Sequence, residues 1–149
     1  MLDYQTLDTI ADSYTPLLLI LCLIFLCKSL YKKQFTRLKM QGAFVIYSLL
    51  VSYGIMFWDN QFNLWPLLSL DYSTHTAVAL SLVVSLCLMV KPLIRLWVAS
   101  LLMYMTLMDY QNYHSLADML STALVVIIFL APVGARIIKT SAPAELKTS

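Results

Sequence analysis

The two histidines of the chain are its candidates for acid–base chemistry. His114 precedes Asp118 by four residues, a spacing that places both side chains on one face of a helix. A carboxylate that accepts from one imidazole nitrogen leaves the other nitrogen free to act as a base or nucleophile. His75 follows Asp71 by the same spacing. The pattern therefore predicts His75, His114 and Asp118 as catalytic residues.

The same residues also have structural interpretations. Ser73 or Thr74 suits the N-cap of a helix, because a short hydroxyl side chain accepts from the first free N–H groups. Asp118 suits a first helical turn, where its charge opposes the positive end of the helix dipole. A histidine at a membrane edge is also common as an interfacial residue. The residues alone leave both interpretations open.

Composition indicates that these residues belong to a membrane protein. Of the 149 residues, 60% are hydrophobic and 12% are charged, and the mean hydropathy is +0.78. Soluble domains are about half apolar and a quarter charged. Five membrane-spanning helices of about 20 residues would use roughly 100 residues. This excludes a large soluble catalytic domain, a nucleic-acid reader and a disulfide-stapled secreted scaffold, and it makes membrane lipid the expected partner.

Uncharged stretches predict an all-α fold, an integral membrane helical bundle of about five transmembrane helices in one domain. The spans are expected at about 14–31, 41–58, 74–90, 92–109 and 115–135 within a domain of residues 1–139, followed by a disordered cytoplasmic tail at 140–149. The first span follows an acidic segment, so we expect a retained anchor and not a cleaved signal peptide. Ala77, Ser81 and Ser85 form a small-residue stripe that is expected to pack two helices together.

The charged residues alternate between the predicted loops. One set of loops and tails holds all ten basic residues, and the other holds seven of the eight acidic residues. The positive-inside rule assigns the basic set to the cytoplasm. The N-terminus is therefore expected outside and the C-terminus inside. Six aromatic residues are expected to form a belt at the outer side, namely Trp58, Phe62, Trp65, Tyr72, Tyr110 and Tyr113.

The two histidine motifs together resemble a known family. Ser73-Thr74-His75-Thr76 at the start of one span, followed a span later by His114-x-x-x-Asp118, is similar to the type-2 phosphatidic acid phosphatase superfamily. The likeness is closest to the branch that contains sphingomyelin synthases, and it covers roughly residues 71–130. That fold has six spans, and the motifs open the fourth and sixth. Here they open the third and fifth, as if the first span were missing.

The resemblance implies a membrane phosphoesterase or phosphotransferase. His114 would be the nucleophile that forms a phosphohistidine, Asp118 would orient it, and His75 would be the acid and then the base. Ser73 would donate to a phosphoryl oxygen, and Thr74 and Asp71 complete the expected substrate-binding residues. The implied substrate is a lipid phosphate at the outer face of the inner membrane, which is periplasmic in a bacterium. No metal or other cofactor is expected.

The chain departs from the family in its phosphate clamp. Met108 occupies the position of an arginine six residues before His114, and residues 59–70 contain no Lys or Arg. Phosphoryl transfer needs cations or N–H donors to hold the developing charge. The alternative is therefore a non-catalytic membrane subunit or lipid-binding protein, and either form permits a homo-oligomer or a partner subunit. A lesser alternative is a Zn or Fe site formed by the two histidines with Asp71 and Asp118.

Overall fold

The chain folds entirely into helices within the part that the structure describes. A computed structural model describes residues 4–145, with side chains from 5 to 140. The α-helices are α1 (Tyr4–Tyr31), α2 (Phe35–Phe62), α3 (Thr74–Met89), α4 (Ile94–Tyr110) and α5 (Leu116–Glu145), and short 3-10 helices cover Pro66–Leu68 and Lys91–Leu93. No strand occurs among these residues. The predicted all-α fold is confirmed.

Three of the helices, α1, α2 and α5, are longer than the predicted spans. Helix α1 begins at Tyr4, ten residues before the predicted start, so that Pro16 lies inside the helix and not in its first turn. Helix α5 continues to Glu145. The first six residues of the tail predicted to be disordered are therefore helical, and 146–149 lie outside the described residues. Hydropathy marks the apolar part of a helix, whereas the backbone hydrogen bonds continue into the polar flanks.

Four helices are long and apolar enough to cross a membrane, namely α1, α2, α4 with the turn before it, and α5. Their most apolar stretches are only 17–28% buried inside the bundle. Large apolar side chains such as Leu17 (53% exposed), Leu50 (66%) and Ile128 (61%) face outward. An exposed apolar surface of this extent is typical of lipid-facing helices. The length and composition of these helices indicate a membrane protein with four candidate spans, where five were predicted.

Helix α3 is the exception because it lies in the centre of the bundle. It contacts all four of the other helices. It has 16 residues, or about 24 Å at 1.5 Å per residue, which is shorter than the roughly 30 Å hydrocarbon core. Ala77, Ser81, Leu82 and Leu86 are 0–1% exposed. Its apolar character thus serves internal packing more than lipid contact.

The predicted small-residue stripe joins α3 to α2. Ser52 Oγ lies 2.8 Å from Ser81 Oγ and donates to the carbonyl of Ala77 at 3.1 Å. Ser48 Oγ lies 3.5 Å from Ser85 Oγ. Because small side chains let two backbones approach closely, the serine hydroxyls can pair across the interface. The expected packing role of Ala77, Ser81 and Ser85 is confirmed.

Side-chain contacts show which connections share an end of the bundle. Tyr113, between α4 and α5, donates to Asp8 in the first turns of α1. Asp71, between α2 and α3, donates its backbone N–H to Asp118 in α5. We call this the acidic end. At the other end Arg37, near the start of α2, donates to the carbonyl of Met89 at the end of α3. We call this the basic end, and the two ends reproduce the charge alternation of the predicted loops.

The predicted aromatic belt is only partly exposed. Trp58, Phe62, Tyr110 and Tyr113 are 43–68% exposed at the acidic end. Trp65 and Tyr72 are instead buried, at 7% and 6% exposed, and their rings meet edge to face with centroids 4.9 Å apart. These two residues were wrongly predicted to belong to the belt, because the connection between α2 and α3 folds back onto the bundle.

Candidate functional site

Helix α3 begins at the acidic end with Ser73 as its N-cap. The Ser73 hydroxyl accepts from the backbone N–H of Thr76 at 3.3 Å and donates to the Thr76 hydroxyl at 2.9 Å. The backbone N–H of Ser73 donates to the Thr122 hydroxyl of α5 at 3.1 Å. Ser73 is 0% exposed. Its predicted role as a donor to substrate therefore does not fit this conformation, in which it caps α3 and ties it to α5.

Asp118 performs the corresponding task for α5. Its Oδ2 accepts from the backbone N–H and the hydroxyl of Ser115, at 2.9 and 2.7 Å, while its own N–H donates back to that hydroxyl at 3.2 Å. This reciprocal pair is a capping box. The spacing Ser115-x-x-Asp118 is readable in the sequence as that motif.

Asp118 also reaches across to the connection that precedes α3. Its Oδ1 accepts the backbone N–H of Asp71 at 2.8 Å. The carboxylate therefore accepts three hydrogen bonds, and none of them comes from His114. The predicted hydrogen bond between His114 and Asp118 is absent because the N–H groups of Ser115 and Asp71 take both oxygens.

The carboxylate nearest to His114 belongs to Asp71. The distance from His114 Nδ1 to Asp71 Oδ2 is 3.5 Å, with side-chain exposures of 14% and 73%. This is an ion-pair distance, and it is too long for a strong direct hydrogen bond. Nδ1 is buried and has no closer partner in the described part of the chain. Asp71, predicted to bind substrate, is thus the carboxylate that faces Nδ1 of His114.

His75 lies apart from this group. It occupies the first turn of α3 and is exposed, and within residues 4–145 it makes no hydrogen bond or ion pair. Asp71 and His75, which share the spacing of four residues, form no ion pair or side-chain hydrogen bond with each other. Thr74 beside His75 is half-buried and makes no side-chain hydrogen bond to the described residues. The structure therefore brings Asp71, His114 and Asp118 together and leaves the side chain of His75 exposed outside this group.

A buried polar layer below these residues was not predicted. Asp59 of α2, 7% exposed, accepts the backbone N–H of Trp65 at 2.8 Å. The Trp65 indole N–H donates to Ser121 at 3.0 Å, and the Tyr72 hydroxyl donates to the carbonyl of Ser52 at 2.8 Å. Burial raises the pKa of Tyr72 well above its usual range, and the charge of Asp59 adds to this effect. This layer fixes the connection that carries Asp71.

The electrostatics of the site are those of carboxylates without a cation. No Lys or Arg side chain is bound to Asp71 or Asp118 in the described residues. An imidazole whose Nδ1 faces a carboxylate keeps Nε2 available as a base or nucleophile. The N–H groups that would otherwise meet an anion at the start of α5 are partly occupied by Asp118.

The described residues do not assemble the metal site of the lesser alternative. They contain no group of three or more His, Cys, Asp or Glu side chains that could hold a metal ion. Both oxygens of Asp118 accept backbone N–H groups. A Zn or Fe site would need at least three of these four residues around one point.

Comparison with known proteins returned no relatives. No family model matches the chain, and neither does any curated protein or solved structure. The resemblance to type-2 phosphatidic acid phosphatases therefore rests on the two short motifs that begin α3 and α5.

Proposed function

We propose that the chain is a membrane phosphoesterase or phosphotransferase that acts on a lipid phosphate through His114. The observation that carries this proposal is the placement of His114 Nδ1 at 3.5 Å from the Asp71 carboxylate, in a unit that Asp118 ties together. A carboxylate at Nδ1 is the arrangement that prepares Nε2 for attack. The two motifs that resemble the phosphatidic acid phosphatases supply the same histidines.

The proposed roles are those that the resemblance implies, with one change. Nε2 of His114 attacks phosphorus, the bond from phosphorus to the leaving oxygen breaks, and His75 gives that oxygen a proton. His75 then takes a proton from water or an alcohol, whose oxygen attacks the phosphohistidine and frees His114. Asp71 orients His114, and Asp118 acts on both by holding the two connections together. The exposure of His75 allows it to approach the substrate.

We propose that the acidic end is the outer face of the inner membrane. The charge alternation between the two ends supports this orientation through the positive-inside rule, with the N-terminus outside and the C-terminus in the cytoplasm. Helix α3 would be a fifth crossing that the other four helices shield from lipid, consistent with its burial. Lipid phosphates then reach His114 from the outer leaflet, which is periplasmic in a bacterium.

The test is phosphate release by the detergent-purified full chain over a panel of lipid phosphates, with and without vanadate. Replacing His114 by Ala should abolish vanadate-sensitive release, because it removes the imidazole that forms the proposed phosphohistidine. The matched control is Tyr110→Phe, a change at an exposed residue (68%) of the same end, which should leave release unchanged. Full release by the His114→Ala variant would overturn the proposal.

A second candidate is a non-catalytic lipid-binding protein or membrane subunit. The observation that favours it is the use of Ser73 and Asp118 as helix caps, with no Lys or Arg beside them. Such an end holds the fold together but lacks a clamp for phosphate. Lipid phosphate that binds to the purified chain and is neither hydrolysed nor transferred to an added alcohol would favour this candidate over the enzyme.

A further inference from the structure

The basic end contains a cavity of about 190 Å³. It lies where the last turns of α1 meet the start of α2 and the end of α3. Three cationic side chains line it, Lys28 and Lys32 from α1 and its following turn and Arg37 from α2. No carboxylate side chain lines it among the described residues. A cavity with three positive charges and no counter-charge favours an anion.

Two buried polar side chains also line the cavity. Ser29 is 7% exposed and Gln41 is 6% exposed. Neither makes a side-chain hydrogen bond within the described part of the chain. Their polar atoms are not among the fully buried polar atoms that lack a partner, so the hydroxyl and amide groups stay accessible from the cavity. Both groups can therefore bond to a ligand that occupies the cavity.

The guanidinium of Arg37 is held in place by the fold. One Nη donates to the carbonyl of Met89 at 3.0 Å, and this contact neutralises part of the negative end of α3. The remaining N–H groups of Arg37 make no hydrogen bond to the described residues. A planar guanidinium with free donors suits the oxygens of a phosphate. The apolar side chains of Phe25 and Met89 line the same cavity, so a ligand with an apolar part is accommodated beside its charged part.

We propose that this cavity binds a phosphate group, held by Lys28, Lys32 and Arg37, with Ser29 and Gln41 as hydrogen-bonding partners. Two sources share this chemistry, the phosphate of an anionic lipid headgroup and a soluble phosphate. Under the orientation proposed above, the cavity opens toward the leaflet where anionic lipids attract basic residues. The site is separate from the acidic end, and it requires neither His114 nor any catalytic activity.

The test is a calorimetric titration of the full chain in neutral detergent with three probes, with His114→Ala present in every sample so that no lipid phosphate is turned over at the acidic end. The first is dihexanoyl phosphatidic acid, the second is inorganic phosphate, and the third is dihexanoyl phosphatidylcholine, whose headgroup has no net charge. The variant is Lys28→Gln with Lys32→Gln. The matched control is Lys33→Gln with Lys39→Gln, which removes two charges from the same end but none from the cavity lining.

Phosphatidic acid should bind the parent His114→Ala chain and the control with dissociation constants within about twofold, and bind the Lys28/Lys32 variant at least roughly tenfold more weakly. Gln41→Met should also weaken binding while the protein still unfolds cooperatively, which separates loss of the site from loss of the fold. If inorganic phosphate binds more weakly than phosphatidic acid, the natural ligand is a lipid phosphate. If inorganic phosphate binds as tightly as phosphatidic acid, the natural ligand is a soluble phosphate. Absence of binding by both phosphates, equal loss in both double variants, or equal binding of phosphatidylcholine would overturn the proposal.

Discussion

The charged side chains at the two ends of the bundle have different partners. At the acidic end, the carboxylates of Asp59 and Asp118 accept backbone N–H groups of neighbouring segments. At the basic end, Lys28 and Lys32 line a cavity that has no carboxylate side chain among its described lining residues. Carboxylates that accept backbone N–H groups satisfy the ends of helices, whereas the ammonium groups of Lys28 and Lys32 remain available to solvent or a ligand. The acidic end is therefore organised by the chain itself, and the basic end is suited to an added anion.

The largest effect is expected at α3, which connects the two ends. Replacing Ser81 by Leu adds two heavy atoms to a side chain between α2 and α3, where Ser81 is 0% exposed and pairs with Ser52. Overpacking of this kind costs about 1–3 kcal/mol. The unfolding midpoint in detergent should fall, and both turnover at one end and phosphate binding at the other should weaken. Ser81→Ala is the control, with an expected loss near 0.6 kcal/mol, about the mean for interhelical hydrogen bonds in membranes. A midpoint of Ser81→Leu equal to that of Ser81→Ala would contradict this packing.

A smaller and local effect is expected from Asp71→Asn. The change removes the charge that faces His114 Nδ1 but keeps the backbone N–H that donates to Asp118. Turnover should fall by roughly tenfold, or about 1.4 kcal/mol of barrier, through kcat more than KM. Stability should change little because the side chain is 73% exposed. The kinetic constants and the unfolding midpoint check this together. Unchanged kcat would mean that Asp71 does not orient His114. The variant should bind phosphatidic acid at the basic end as tightly as the natural chain does.

Asp118→Ala is expected to lower the stability of the protein, in contrast to Asp71→Asn, which is expected to lower turnover. It removes the acceptor of three hydrogen bonds, from Ser115 and Asp71. Loss of a helix cap costs about 0.5–2 kcal/mol. The unfolding midpoint of the Asp118→Ala variant should therefore fall, whether or not the variant retains turnover. Asp109→Ala is the control, since Asp109 is an exposed acid at the end of α4. A midpoint for Asp118→Ala as high as that of Asp109→Ala would show that the caps contribute nothing.

The features that depend on local composition were predictable from the sequence. Five helices in order, the segregation of charge and the small-residue stripe at Ser81 and Ser85 all follow from hydropathy and spacing. Each of these signals lies within one element or at its ends. The start of α1 at Tyr4 was missed because its first turns are polar. The central position of α3 was also missed, since an apolar run reads the same whether lipid or protein surrounds it.

The contacts of the candidate site depend on segments that are distant in the chain. The i, i+4 spacing of His114 and Asp118 predicted a pair, yet Asp71 arrives from another connection and takes one oxygen of Asp118. The capping box with Ser115 takes the other. Local spacing shows which side chains are within reach, while the competing donors come from tertiary packing. The cavity at the basic end depends even more on distant segments, because its cationic side chains come together only when α1, α2 and α3 pack against one another.

The smallest effect concerns pH and the buried layer of the acidic end. Burial and the nearby Asp59 raise the pKa of Tyr72, whereas the pKa of an unfolded tyrosine is about 10. The stabilising contribution of the neutral phenol is therefore complete below that pH and is lost as the pH rises toward the folded pKa.

Tyr72→Phe removes the hydrogen bond to the Ser52 carbonyl, and it should lower the free energy of unfolding by about 1 kcal/mol at pH 7. Above about pH 10 the natural chain should lose stability more steeply than this variant. Unfolding midpoints between neutral and strongly alkaline pH measure the difference, with exposed Tyr110→Phe as the control. Parallel curves for Tyr72→Phe and the natural chain would mean that Tyr72 ionises as a solvated phenol.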